Sequence, residues 1–228
     1  MVNYANIMQE LEEFKEGRDF IDFGAKILKT NLKLMGVKSA NIKKIIKKYQ
    51  KEEIDNFKRN ESYETNLIYY CIGLSKQKTL DEIYNFISNN KDLVDSWALT
   101  DTAYKYAKLP KLLNETLPLI DKLINDNDEF VIRFGYLFMF NFIKDKGNLS
   151  EIFLRFKNTD YFYVLMVEAW LLSCLLIYYF DETYEFIKKS DLNFNIKLKS
   201  ISKGIDSYRI SKENKNKLRE LRNYLKTK

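Results

Sequence analysis

The residues of this chain best suited to chemistry are a tryptophan and an aspartate four positions apart, Trp97 and Asp101, in a segment that reads as a helix. Residues four apart lie on the same face of an α-helix. A carboxylate can stabilise a nearby cation by its charge, and an indole can do so through its aromatic face. Arg133 and a second tryptophan, Trp170, could complete such a site. The four residues together favour a reaction in which positive charge develops.

The chain contains no histidine, which excludes His-dependent triads, imidazole bases and nearly all ordinary catalytic zinc sites. Hydrolysis of an N-glycosidic bond is compatible with the remaining residue types, provided that the leaving base is an alkylated, cationic purine. A carboxylate would then stabilise the charge that develops on the sugar and orient the attacking water. Indole faces would add cation–π stabilisation, and an arginine could hold the adjacent phosphate by a bidentate contact.

The same residues also have an ordinary structural interpretation. Asp101 lies in the first two turns of its predicted helix, where backbone N–H groups and the helix dipole favour a carboxylate. Arg133 could simply pair with Asp101, and Trp170 could be a core residue in the most apolar run of the chain. Residue types and spacing alone leave both interpretations open.

The elements that must position these residues are helices. Among 228 residues only seven are glycine and two are proline, and apolar residues recur at helical spacing with no alternating strand pattern. This composition predicts an all-α protein. Helices come in pairs every roughly 35 to 45 residues, the period of HEAT-like arrays, whose pairs stack into a curved solenoid. No flexible linker interrupts the succession, so residues 1–228 are expected to form one domain.

Local signals place the individual helices. The second helix is predicted over residues 19–34, with Gly36 as a glycine C-cap. Ser39 is predicted to cap the third helix, and Thr79 a later one. The polar residues 125–128 should cap an aromatic helix that runs from Glu129 to about residue 144.

The formal charge of +6 and the sequence pI near 9.0 favour an anionic partner, either nucleic acid or an anionic membrane surface. The predicted third helix concentrates lysines on one side, opposite three isoleucines. We call Lys43, Lys44, Lys47, Lys48 and Lys51 the lysine stripe. The stripe could bind phosphates or be an ordinary solvated face.

The apolar run over residues 161–180 is long enough to suggest a membrane span, but it carries Glu168 near its centre. A charge there is costly in a bilayer, so a helix buried by its neighbours is the better interpretation. The N-terminus opens into a polar helix and shows no signal peptide. The two cysteines, Cys71 and Cys174, are interpreted as small buried hydrophobes. A cytoplasmic protein with access to the nucleoid is expected.

Several segments together resemble the AlkD-like branch of the HEAT-like-repeat DNA alkylation repair proteins, in a diverged form. The matching segments are Leu34–Val37, Asp95–Asp101, Glu129–Phe134, Tyr163–Ser173 and Ser207–Glu213. They occur in the family's order and extend from about residue 20 to the C-terminus. Their joint occurrence is more specific than any single segment.

The resemblance implies a DNA glycosylase that excises cationic N3- or N7-alkylated purines from duplex DNA, without a metal or other cofactor and without drawing the base into a deep pocket. It places the catalytic carboxylate at Asp101 and substrate contacts at Trp97, Arg133, Tyr163 and Trp170. The expected contacts to the DNA backbone are Lys29, Lys33, Lys38, Lys43, Lys44, Lys47 and Arg209. The partner would be alkylated double-stranded DNA, bound by a monomer.

Two other functions stay open. Active members of the family carry an aromatic residue in the segment that corresponds to residues 26–34, where this chain has lysines and no aromatic ring. That difference favours a non-catalytic DNA-binding paralogue. A protein-interaction scaffold, a common use of helical solenoids, is the third possibility.

Overall fold

A computed structural model describes residues 1–227. This part of the chain contains thirteen α-helices and only two strands, each of two residues, so the predicted all-α fold class is confirmed. By their internal contacts the residues divide into two compact units, Met1–Pro110 and Lys111–Lys228. The single domain expected over residues 1–228 stays a prediction.

The first unit is built from six helices and one short strand pair. The helices are α1 (Tyr4–Glu13), α2 (Arg18–Leu28), α3 (Ser39–Tyr49), α4 (Tyr63–Lys76), α5 (Leu80–Asn89) and α6 (Trp97–Ala103). Strand β1 (Val2–Asn3) pairs in parallel with β2 (Ile54–Asp55). Helix α4 is the centre of the unit, since α3, α5 and α6 all pack against it.

Side-chain caps fix where several of these helices begin. Thr79 accepts a hydrogen bond from the N–H of Glu82, whose carboxylate returns a contact to the Thr79 N–H, and this capping box confirms the predicted start of α5. Ser39 is the first residue of α3 rather than its cap, and Lys38 occupies the cap position without a side-chain bond. In α3 the three isoleucines Ile42, Ile45 and Ile46 are buried while the lysines are exposed, as the amphipathic spacing predicts.

Helix α2 is shorter than predicted, because it ends at Leu28 instead of residue 34. Lys29 adopts the left-handed conformation with φ 55°, and the next two residues bind a carboxylate far along the chain. Asp95 accepts hydrogen bonds from the Thr30 hydroxyl at 2.8 Å and from the Asn31 N–H at 2.7 Å. A backbone held by Asp95 in this way cannot continue the helix.

Gly36 is therefore not the C-cap of α2 but part of a later turn, with φ +80°. A Cβ at this position would lie 2.4 Å from Cγ1 of Ile21. The turn is held by the buried carboxylate of Glu64, which accepts hydrogen bonds from three consecutive N–H groups. Their lengths are 2.9 Å from Met35, 2.8 Å from Gly36 and 3.3 Å from Val37. Glu64 thus replaces the acceptors that a longer helix would have supplied.

The second unit contains seven helices in the part of the chain that the structure describes. They are α7 (Leu113–Ile124), α8 (Glu129–Met139), α9 (Leu149–Phe153), α10 (Phe162–Tyr178), α11 (Phe180–Lys189), α12 (Phe194–Asp206) and α13 (Lys212–Lys226). Helix α10 is the centre of this unit, in contact with α8, α11 and α12. Helix α13 packs on α11 and α12.

Helix α8 begins where predicted and ends early. The Asp128 carboxylate accepts hydrogen bonds from the N–H groups of Phe130 at 3.0 Å and Val131 at 3.2 Å, which confirms the cap. The helix ends at Met139 rather than near residue 144. Phe142 and Ile143 are nevertheless buried, within turns that follow the helix. Apolar spacing therefore continues past the last helical residue.

The apolar run around Trp170 is a buried helix, as the sequence indicated. Within residues 1–227 no helix combines the length and the apolar character needed to cross a membrane. Helix α10 carries Glu168 at 0% exposure. Its Oε1 atom accepts a hydrogen bond from the Lys157 N–H at 3.0 Å, and its Oε2 atom has no hydrogen-bond partner among the described residues. Burial, outweighing the Lys157 contact, raises the pKa of this carboxyl to about 7.

The raised pKa of Glu168 predicts a pH-dependent stability. The pKa of Glu168 in the folded state lies above its unfolded-state value of 4.5. The contribution of the protonated carboxyl to the free energy of unfolding is therefore complete below about pH 4.5, and it is lost as the pH rises to about 7. The expected loss is about 3 kcal/mol of unfolding free energy. Urea unfolding from pH 4.5 to 8 measures it. Glu168→Gln should remove this component of the pH dependence, whereas the exposed Glu220→Gln should retain it. If the free energy of unfolding of Glu168→Gln depended on pH as steeply as that of the wild type, the prediction would be contradicted.

Candidate functional site

The first unit contains a cavity of about 630 Å³ next to α6. Its walls come from α2, α3, α4 and α6, and both residues of the Trp97 and Asp101 pair line it. Most of the other lining side chains are apolar or aromatic. They include Phe20, Phe23, Ile27, Leu67, Tyr63 and Tyr106. The cavity lies wholly within residues 20–106, and we call it the α6 cavity.

Trp97 is the first residue of α6 because Ser96 caps the helix. The Ser96 hydroxyl oxygen accepts a hydrogen bond from the Ala98 N–H at 3.3 Å, and the hydroxyl donates to the carbonyl of Leu28. The indole Nε1–H of Trp97 donates to the carbonyl of Ile27 at 3.2 Å. The bonds to the carbonyls of Leu28 and Ile27 join the start of α6 to the end of α2. The half-buried indole is therefore held by its nitrogen while part of its ring faces the cavity.

Asp101 follows one turn after Trp97, on the same face of α6, and its side chain is half-buried. The Thr100 hydroxyl lies 2.7 Å from the Trp97 carbonyl and 3.4 Å from Oδ1 of Asp101. Asp101 is thus neither a fully buried core group nor a fully solvated one. A carboxylate in such a position keeps a stronger electrostatic influence on a bound ligand than it would have in bulk water.

Two tyrosines near this carboxylate stay protonated at neutral pH. Burial raises the pKa of Tyr63, and the nearby carboxylates of Glu64, Asp95 and Asp101 raise it further. Burial also raises the pKa of Tyr106. Both hydroxyl groups are therefore neutral groups at the cavity wall.

The other predicted substrate contacts belong to the second unit. Arg133 lies on α8 and is only 4% exposed, and its Nη1 donates a hydrogen bond to the carbonyl of Tyr163 at 2.6 Å. The Tyr163 ring stacks on Phe130 with 5.4 Å between ring centroids. Trp170 is two turns further along α10, half-buried, with its ring 4.4 Å from that of Phe140. The structure brings Arg133 and Tyr163 into contact, a pairing that the sequence did not predict.

The basic residues predicted to contact the DNA backbone are all exposed. They are Lys29, Lys33, Lys38, Lys43, Lys44, Lys47 and Arg209. Lys38 pairs with Glu16 at 2.9 Å, and the neighbouring Lys48 of the stripe pairs with Glu10 at 2.6 Å. The Arg209 guanidinium lies 5.0 Å from the centroid of the Tyr178 ring. Positive charge therefore remains available on the outer face of α3.

The sequence did not identify the aromatic residues of α2 as part of a site. Phe20 and Phe23 line the α6 cavity, although 37% and 62% of their respective surfaces are exposed to solvent. Their spacing with Ile27 was visible as an amphipathic pattern, which ordinarily indicates a face packed on the core. No residue of α2 is buried. An amphipathic pattern usually indicates that a helix packs on the core, but here the apolar face of α2 lines a cavity.

Comparison with known proteins gives one family. A family model described as DNA alkylation repair enzyme matches residues 7–162. The match contains Trp97, Asp101 and Arg133. No significant match to a curated protein or to a solved structure was found.

Proposed function

The chain belongs to the DNA alkylation repair enzyme family, and from this membership and the position of Asp101 we propose that it is a DNA glycosylase. Family membership gives the protein a role in DNA alkylation repair, with DNA as its partner. The proposed substrates are cationic N3- and N7-alkylated purines in duplex DNA. The observation that carries the proposal is the half-buried Asp101 carboxylate beside the Trp97 indole at the wall of the α6 cavity.

The proposed reaction requires only charge stabilisation and a water molecule. As the bond between C1′ and the purine nitrogen breaks, its electron pair moves to the cationic base, which leaves neutral. Positive charge appears on the deoxyribose, where the Asp101 carboxylate stabilises it and the indole face of Trp97 adds cation–π attraction. Water then forms the new bond to C1′ and loses a proton to Asp101 or to solvent. The products are the free base and an abasic site.

The half-buried position of Asp101 supports this role. A fully solvated carboxylate would act through the high dielectric of water, and its effect on the sugar cation would be small. A pre-positioned charge needs no reorganisation when the transition state forms. Arg133, Tyr163 and Trp170 remain proposed substrate contacts of the second unit, and Arg133 could contribute only those guanidinium N–H groups not committed within the protein.

The lysines of α3 are the proposed contacts to phosphates, and their contribution can be measured. Replacing Lys43 and Lys47 together by alanine is expected to weaken duplex binding and to reduce the slope of log K against log salt by up to about 2, since each lost phosphate contact removes roughly 0.9. Neither lysine forms an ion pair within residues 1–227, so the change should leave stability unaltered. Fluorescence anisotropy at 50 to 200 mM salt measures the slope.

The matched control replaces Lys78 and Lys91, two exposed lysines outside the stripe. This variant has the same net charge as the first. If the two double variants lose affinity equally, the stripe is an ordinary solvated face and binding is a general effect of net charge.

The function itself is tested by base release. Duplex DNA that contains 7-methylguanine and 3-methyladenine is incubated with the protein, and the free bases are measured by chromatography. Release above the level of Asp101→Asn supports the glycosylase. Salt-dependent duplex binding without release would indicate the non-catalytic DNA-binding paralogue. Absence of both release and binding near physiological salt would contradict the proposal and favour the scaffold.

A further inference from the structure

We propose that the last helix, α13, carries a second DNA-binding surface, which holds the phosphate backbone whether or not the duplex is damaged. The inference rests on the proposed function, because it takes duplex DNA as the partner. The surface begins shortly after Arg209, an expected contact to the DNA backbone. It consists of five basic side chains, which we call the α13 basic face: Lys212, Lys215, Arg219, Arg222 and Lys226.

Positive and negative charges lie on different flanks of α13. Members of the α13 basic face follow one another by three or four positions, so they fall within a sector about 80° wide. The carboxylates of Glu213 and Glu220 lie on the other flank, where Glu213 pairs with Lys217 at 3.1 Å. Within residues 1–227 no carboxylate pairs with the α13 basic face. An ordinary solvated helix mixes both signs along a face, whereas this helix separates them.

The core beneath α13 holds the α13 basic face in place. Leu218 and Leu221 are buried, and the helix packs on α11 and α12. Helix α12 approaches closely at Gly204, where a Cβ would lie 3.0 Å from Cδ1 of Leu218. Ser211 caps the first turn, since its hydroxyl oxygen accepts a hydrogen bond from the Asn214 N–H at 3.2 Å. Charges fixed on such a helix lose little freedom when a partner binds.

The protein leaves the charges of this face without compensation. Lys212, Arg219 and Lys226 are exposed, whereas Lys215 and Arg222 are half-buried. The buried Nε atom of Arg222 has no hydrogen-bond acceptor among the described residues. A buried donor without an acceptor costs free energy. A phosphate at the outer nitrogens of this guanidinium would stabilise it by a bidentate contact, which no carboxylate of the described residues supplies.

The length of the α13 basic face matches a segment of one DNA strand. From Lys212 to Lys226 the helix rises about 21 Å, with one basic side chain about every 5 Å. The phosphates of one strand follow every 3.4 Å or so along the duplex axis, so about six of them fit this length. Contacts to phosphates carry no sequence information. The surface would therefore bind damaged and undamaged duplex equally well.

The surroundings of the α13 basic face favour DNA over an anionic membrane. Two exposed amides, Asn216 and Asn223, border it on the solvent side. A helix that binds a membrane surface places large apolar side chains beside its basic ones, so that they enter the lipid. Here Leu218 and Leu221 are buried in the protein, and the exposed Tyr224 lies on the acidic flank. Amide side chains can instead form hydrogen bonds with phosphates and sugars.

Removing two charges from the α13 basic face tests the inference. Lys212→Gln combined with Arg219→Gln should weaken binding to undamaged duplex about tenfold near 0.1 M salt, and it should lower the slope of log K against log salt by up to about 1.8. Each single variant should give about half that change in slope. The matched control combines Lys188→Gln on α11 with Lys217→Gln on the other flank of α13, and it should bind within about twofold of the wild type. Glutamine has nearly the helix propensity of lysine and arginine, so the unfolding midpoints should be unchanged.

Base release separates this surface from the catalytic step. With protein in saturating excess, the double variant of the α13 basic face should release 7-methylguanine at the wild-type rate, because the surface only holds the duplex. A lower rate at saturation would overturn the surface as a separate contact.

The affinity measurement uses undamaged duplex, so its outcome does not depend on catalysis. Equal affinities in the two double variants would overturn the α13 basic face and leave the proposed function standing. The face would also be overturned if its double variant lost binding to phosphatidylserine vesicles but bound duplex like the wild type. Absence of duplex binding by the wild type would overturn the proposed function itself.

Discussion

Replacing Asp101 by asparagine is expected to lower the rate of 7-methylguanine release from duplex DNA by about 10² to 10³ fold. Asparagine has nearly the same shape as aspartate, so the packing of α6 and the neighbouring Thr100 hydroxyl should be preserved. The lost negative charge would no longer stabilise the developing sugar cation. The expected rate change corresponds to about 2.7 to 4 kcal/mol in the activation barrier.

Single-turnover kinetics with excess protein measure this effect without interference from product release. Duplex affinity should be unchanged or slightly higher in Asp101→Asn, because a negative charge has been removed next to a polyanion. The control is Asp19→Asn, an exposed aspartate in the first turn of α2 that does not line the cavity. Equal release by Asp101→Asn and the wild type would remove Asp101 from the mechanism.

Replacing Glu64 by alanine is expected to lower the free energy of unfolding by about 3 to 5 kcal/mol, a large part of the stability of an ordinary domain. The carboxylate is 3% exposed and accepts hydrogen bonds from the N–H groups of Met35, Gly36 and Val37. Removing it leaves three buried donors without an acceptor, and each such donor costs roughly 1 to 3 kcal/mol. Denaturant unfolding followed by circular dichroism measures the loss.

Glu64→Gln separates charge from hydrogen bonding in this experiment. Its amide oxygen can still accept from the turn, so a smaller loss is expected than for alanine. Glu13→Ala, at an exposed position of α1, should change stability by less than about 0.5 kcal/mol. A Glu64→Ala variant as stable as Glu13→Ala would show that water replaces the carboxylate at the turn.

The role of Glu64 connects stability to the proposed site. The turn that it holds contains Gly36, against which Ile21 of α2 packs. Loss of the carboxylate should therefore loosen the wall of the α6 cavity as well as the core behind it. A Glu64 variant of lower stability would therefore reduce base release by displacing residues of the cavity wall, with little effect on the charge at Asp101.

The sequence by itself determined the features that depend on contacts within a few residues. The buried isoleucines and exposed lysines of α3, the Thr79 and Asp128 caps, and the shared face of Trp97 and Asp101 all follow from helical periodicity and local hydrogen bonds. The apolar run around Glu168 was correctly interpreted as a buried helix, because an ionisable centre is costly in a bilayer. The family was also recognisable from five short segments.

Only the tertiary structure decided the features that depend on distant partners. Helix α2 ends at Leu28 because Asp95 binds Thr30 and Asn31 across 65 and 64 positions of sequence. The carbonyls of Ile27 and Leu28 also accept hydrogen bonds from Trp97 and Ser96, which hold the end of α2 beside the α6 cavity. The two partners of such a contact lie far apart in sequence, so no short segment of the chain contains both of them. For that reason Asp101 could be selected from its spacing with Trp97, whereas the cavity that it lines could not.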